Sequence, residues 1–142
     1  MIRMHILAQV RPVTPFSPAE LRRMLGCILH SLGWKAGDLE VLVTSDREVA
    51  QKNLELMGLP GPTNVLSFPL DMDPRAGLNG SIVLSAHALC RESGLYDQDP
   101  AEYWLRMLAH AVLHLGGYEH GPEMEEMTGL CITRALEKKQ GK

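Results

Sequence analysis

Apolar and polar residues alternate over positions 2–10, with Ile2, Met4, Ile6, Ala8 and Val10 on one side of an extended chain. A period of two predicts a strand with one buried face along that whole stretch. The period then changes. Leu21, Met24, Leu25, Ile28 and Leu32 recur at helical spacing. Ser17 and Glu20 frame them as a capping box, Pro18 takes the first helical position, and Gly33 stops the run.

A second strand is expected over 39–44. Ser45 and Glu48 repeat the capping box before a helix ending near Gly58. Residues 59–80 are rich in Pro, Gly, Asn and Asp, with a short strand at 65–68. A fourth strand at 81–84 leads into a helix opened near Ser85 and closed at Gly94. Asp99 and Pro100 open the next helix, whose apolar stripe is Trp104, Met107, Leu108, Ala111, Val112 and Leu115. Gly116 and Gly117 end it. The last helix starts near Pro122, with Glu123, Glu125 and Glu126 at its head and Lys138 and Lys139 at its tail, the order the helix dipole favours. Four strands and about five helices in mixed order predict an α+β fold with a small mixed four-stranded sheet. At 142 residues the chain suits one such domain, spanning 1–142.

Composition narrows the function. A formal net charge of −3 lacks the basic excess of a general nucleic-acid binder, so RNA contact has to come from a local patch or a bound partner. Cys27, Cys90 and Cys131 are isolated, which suits a reducing compartment. Neither a membrane-length apolar run nor a secretion signal is visible, and a cytoplasmic location is expected.

The chemistry concentrates in His110-Ala111-Val112-Leu113-His114-Leu115-Gly116-Gly117-Tyr118-Glu119-His120. His110 and His114 are four apart on a helix, so they share a face. The glycine pair permits a sharp turn that returns His120 toward them. Three imidazoles leave one position open on a four-coordinate ion, the mark of a catalytic zinc site. Nickel, copper and iron(II) also accept imidazole. His5, His30 and His87 stand alone.

The spacing His-x-x-x-His-x-x-Gly-x-x-His resembles the zinc motif of the metzincin peptidases. Those enzymes carry a glutamate after the first histidine as general base. Here it is Ala111, whose methyl group takes no proton, so peptidase action ranks third among the readings.

The stretch is closer to the H-G-x-L-H-L-x-G-Y-D-H motif of the YbeY family, bacterial endoribonucleases of ribosomal RNA maturation. A second stretch, Pro62-Thr63-Asn64-Val65-Leu66-Ser67-Phe68-Pro69, is similar to that family's P-T-[ND]-V-L-S-F-P. The resemblance covers nearly the whole chain. It implies a zincin-like fold and one zinc ion on His110, His114 and His120. It also implies 16S ribosomal RNA as substrate near its 3′ end, and the small ribosomal subunit as partner in assembly and quality control. No membrane or DNA partner is expected. The strand from Thr63 to Phe68 becomes one wall of the cleft.

The chain departs from the pattern at Ala111, Glu119 and Ser81, and at Met57, where the family usually has an arginine six residues before the threonine. Glu119 and Ser67 are the candidate catalytic residues. Glu119 is read either as a proton carrier or as a turn residue supporting a histidine N–H. Ser67 is read either as a donor to substrate or as a polar residue of an edge strand. Arg106, on the histidine helix, is a candidate phosphate contact. The competing class is a zinc-containing ribosome-assembly factor that binds without cutting, its zinc ordering the loop around Gly117 for docking.

Overall fold

A mixed sheet of four strands carries the molecule: β1 (Ile2–Ile6), β2 (Ala36–Thr44), β3 (Val65–Asp71) and β4 (Leu78–Ser85). Their spatial order is β1-β2-β4-β3. β2 runs parallel to both β1 and β4, while β3 is antiparallel to β4 and forms one edge. Among the described residues five α-helices accompany the sheet: α1 (Pro18–Leu32), α2 (Asp46–Met57), α3 (Ala86–Leu95), α4 (Pro100–Leu115) and α5 (Pro122–Gly141). The computed structural model describes residues 2–61, 63–71 and 77–141, without the side chains of residues 71 and 138–141. Pro62 of the second motif and the Lys138 and Lys139 charges therefore lie outside the described residues.

Strand alternation sorts the side chains between two layers. Leu39, Val41 and Val43 of β2 and Leu78, Ile82 and Leu84 of β4 are fully buried, against Leu21, Leu25 and Ile28 of α1 and Leu108 and Val112 of α4. The opposite face holds a smaller cluster of Val49, Leu66 and Val83, with Leu42 and Phe68 packed on it. Beyond that cluster an apolar surface stays open, including Leu54, Leu56, Met57 and Leu59. Among the described residues no helix is long and apolar enough to cross a membrane.

The first strand is shorter than its alternation predicts. Pairing ends with Ile6 opposite Val43, one residue before β2 itself ends at Thr44. With no partner left, residues 8–13 wind into a 3-10 helix containing Pro12, which has no N–H for a ladder. Val10 still reaches the core, fully buried, while Ala8 is exposed. In the other direction, β3 and β4 run longer than expected, because an edge strand tolerates Pro69.

Most caps follow the sequence, but α3 runs through Gly94 to Leu95 and is capped by Tyr96 instead of closing at the glycine. Ser17 and Glu20 form a complete capping box, and Gly33 closes α1 in the left-handed conformation. Ser45 accepts from the Glu48 backbone N–H, but the Glu48 carboxylate takes the Thr44 hydroxyl at 2.5 Å instead of closing the box.

α4 is buried on more sides than its apolar stripe predicts. Leu105, Ala109 and Leu113 join Trp104, Leu108, Ala111, Val112 and Leu115 in the interior. Glu102, Arg106, His110 and His114 stay half-buried at intervals of four residues, making a polar line along the helix.

Candidate metal centre

The polar line of α4 ends in the histidine cluster. The His110 side chain is only 16% exposed. Burial pushes its pKa down; Glu125 opposes this, while Arg106, His120 and His114 add to it. The net shift favours the neutral imidazole, the form with a lone pair to share. One turn on, His114 Nδ1 lies 3.0 Å from the Tyr118 carbonyl oxygen. A nitrogen facing a carbonyl carries the proton and donates it, which leaves the Nε2 lone pair of His114 for a ligand.

The turn after α4 depends on both glycines, for different reasons. Gly117 has φ +95°, a conformation that side chains resist. Gly116 has an ordinary φ, but a Cβ there would stand 2.3 Å from the Trp34 ring. Trp34 in turn lies 6.1 Å from the Tyr118 ring. Clamped in this way, the loop brings His120 back to His114 at 4.7 Å and to His110 at 6.5 Å between ring centres, edge to face in both cases.

These separations can be tested against an ion. Imidazoles bound at about 2.0–2.1 Å in tetrahedral geometry place their ring centres about 5 Å apart. The two observed distances bracket that value. Among the described residues no three His, Cys, Asp or Glu side chains already enclose a common point. His120, exposed on its loop, is the ring with room to close in. His110 Nε2 is buried without a hydrogen-bond partner. Glu125 Oε1 is 3.5 Å from it, too long for a good hydrogen bond. An orphaned buried nitrogen costs about 1–3 kcal/mol unless something else satisfies it. The donor set fits a metal ion.

The other candidates separate clearly. Ser67 donates its hydroxyl to the Ala111 carbonyl at 3.3 Å, tying β3 to the histidine helix. Glu119 is exposed beside an open depression of about 480 Å³ that His120 and Glu123 also line. It has no hydrogen bond or ion pair among the described residues. Arg106 sits one turn before His110, close enough for its charge to act on that ring. Met57 ends α2 with 49% of its surface exposed, so it is no core residue.

Two groups escape sequence reasoning. Glu125 reaches the site from the first turn of α5, where it reads only as helix-end acidity. Glu92 of α3 accepts from Asn64 at 2.9 Å and from Tyr103 at 2.6 Å, fixing the segment that enters β3. No local motif signals either contact.

Comparison with known proteins gives the family. The family model described as Endoribonuclease YbeY matches residues 17–135. The Endoribonuclease YbeY of Oleidesulfovibrio alaskensis is 40% identical over 135 residues, covering 80% of each chain. That of Lawsonia intracellularis is 47% identical over 92 residues, covering 65% of this chain and 67% of the relative. The solution structure of TM1509 from Thermotoga maritima superposes with a TM-score of 0.67, at 21% identity, over 99% of this chain and 93% of that one. With the family model spanning most of the sequence and a relative at 40% identity over four fifths of it, this chain belongs to the endoribonuclease YbeY family.

Proposed function

We propose that this protein is a zinc-dependent endoribonuclease of single-stranded RNA. On this reading it acts at the 3′ end of 16S ribosomal RNA during assembly and quality control of the small ribosomal subunit. The observation that carries the reading is the convergence of three imidazoles, with His114 Nδ1 engaged by Tyr118 and His110 Nε2 buried without a partner. His110, His114 and His120 would hold the ion, which when bound supplies a Lewis acid and a water acidic enough to ionise near neutral pH.

The chain's own residues do the rest. Arg106 places a positive charge one turn from His110, where a phosphodiester can be held by a charge-assisted hydrogen bond. Ser67 keeps the wall strand in register with the histidine helix through the Ala111 carbonyl. Ala111 itself is fully buried and carries no carboxylate, which argues against the metzincin route to peptide hydrolysis.

A second reading has one observation in its favour. The exposed apolar end of α2, with Leu54, Leu56, Met57 and Leu59, suits docking to another macromolecule without cleavage. One experiment separates the two readings. Purified protein is assayed for bound metal and incubated with a structured 16S precursor RNA, wild type beside His114→Ala. The nuclease reading expects about one zinc per chain and cleavage that His114→Ala loses. Zinc without cleavage supports the assembly factor, and absence of any metal uptake sinks both.

A further inference from the structure

α5 is pinned where it passes the histidines. Met124, Thr128, Cys131 and Ile132 are buried along one side of it, and Thr128 donates to the Met124 carbonyl at 2.8 Å. The Glu125 backbone N–H donates to Gly121 at 3.1 Å. The Glu125 carboxylate is therefore carried by a fixed backbone, although its side chain is 59% exposed. It is the acidic side chain that comes within ion-pair range of a cluster histidine among the described residues, at 3.5 Å from His110 Nε2.

That distance has a meaning beyond ion pairing. It is long for a hydrogen bond, and His110 Nε2 makes none. Two donors on one tetrahedral zinc, each about 2.0–2.1 Å from it, stand about 3.4 Å from each other. The separation of Glu125 Oε1 and His110 Nε2 is thus close to one edge of a coordination tetrahedron. Charge points the same way. Three neutral imidazoles leave a divalent ion uncompensated, and a carboxylate removes one unit. A phosphodiester carries the same single negative charge, so it can take the place of the carboxylate without changing the charge of the centre.

We propose that Glu125 is a fourth, displaceable donor to the ion, closing the centre in the resting protein and giving way to a phosphate oxygen of the substrate. This rests on the three-histidine metal reading. Its exposure leaves the side chain free to swing toward solvent, while the buried face of α5 holds the backbone for its return. Glu126, the next residue, is also exposed, and among the described residues it makes no ion pair or hydrogen bond with a cluster histidine.

The test uses full-length protein loaded with cobalt(II), whose visible absorption reports its donor set directly. Wild type, Glu125→Ala, Glu125→Gln and Glu126→Ala are compared for spectrum and for cobalt affinity by chelator competition. Melting curves confirm that each variant folds. The expected result is a changed spectrum and an affinity roughly ten- to a hundredfold lower in both Glu125 variants, with Glu126→Ala like wild type. Glutamine keeps a hydrogen-bond acceptor but is a poor donor to a metal. If Glu125→Gln restores the wild-type spectrum and affinity, Glu125 acts only through His110 and the proposal falls. It falls equally if Glu125→Ala leaves both unchanged. If wild type takes up no cobalt, the three-histidine reading has failed first.

Discussion

Tyr103 donates its phenol to Glu92 at 2.6 Å, and the same carboxylate oxygen accepts from Asn64 at 2.9 Å. One acceptor thus joins α4, α3 and the segment entering β3. Burial, then the Glu92 carboxylate, pushes the Tyr103 pKa far up, so the phenol keeps its proton at any physiological pH. Tyr103→Phe removes a hydrogen bond to a charged group and leaves Glu92 half-buried. The expected loss is about 1.5–3 kcal/mol in urea unfolding. A loss under 0.5 kcal/mol by the same measurement contradicts the claim that this bond anchors the segment.

Asp46 links the two helices α2 and α3. It accepts from Ser85 at 2.5 Å and from Arg91 at 3.0 Å. Burial raises its pKa, but the Ser85 and Arg91 hydrogen bonds and the Arg91 and His87 charges outweigh that and hold it below the ordinary carboxylate value. A depressed folded-state pKa contributes stability above the unfolded value, about 3.9, and the contribution is lost as pH falls through the folded pKa. Wild type should therefore melt above Asp46→Asn at pH 7, with the gap narrowing as pH drops below about 4. A gap independent of pH would mean that the carboxylate charge is not what stabilises this junction.

Met57 is the place where a guanidinium is absent relative to the family pattern. Its side chain is exposed at the C-terminal end of α2, before Gly58 in the left-handed conformation. A cation there suits the helix dipole. Met57→Arg is expected to fold with stability within about 0.5 kcal/mol of wild type. If the new side chain grips phosphate, RNA cleavage rises by up to about a hundredfold. A folded variant with unchanged activity shows that this position does not limit the reaction.

The hydroxyl of Ser67, the sequence candidate for direct contact with substrate, donates to the Ala111 carbonyl. Ser67→Ala should cost about 0.5–1.5 kcal/mol, the net worth of one neutral hydrogen bond. If tying β3 to α4 is its whole role, KM and kcat for RNA stay within about threefold of wild type once assayed well below the melting temperature. A large fall in kcat with unchanged stability would return Ser67 to the reaction itself.

What the sequence reveals here is what lies close along the chain. His110 and His114 are legible because one helical turn puts them on one face, and Ser17 and Glu20 because a cap spans three residues. The return of His120 is legible through the glycines, although the reason for Gly116 is not. That reason is Trp34, a residue more than eighty positions earlier. Glu125 and the Asn64–Glu92–Tyr103 junction depend on how separate helices pack, which no local spacing records. At the N-terminus the alternation continues past Ile6, but a strand also needs a neighbour, and β2 has none to offer beyond Thr44. The polar line on α4 is partly legible. Its apolar stripe is evident, but the burial of Leu105, Ala109 and Leu113 on the other sides depends on the elements packed around α4.

The clamp on the turn after α4 also gives the protein an optical probe of its own. Trp34 touches the backbone at Gly116 and lies beside the ring of Tyr118, whose carbonyl holds His114. Whatever draws His120 toward His110 moves the loop against which that indole packs. Trp104, the second tryptophan, is 1% exposed and packs against Phe16 in the interior, so its emission forms a steady background. In a Trp104→Phe protein all tryptophan fluorescence comes from Trp34. Zinc titration should then change its intensity or wavelength, and His120→Ala should abolish the change, reading occupancy of the centre without label or substrate.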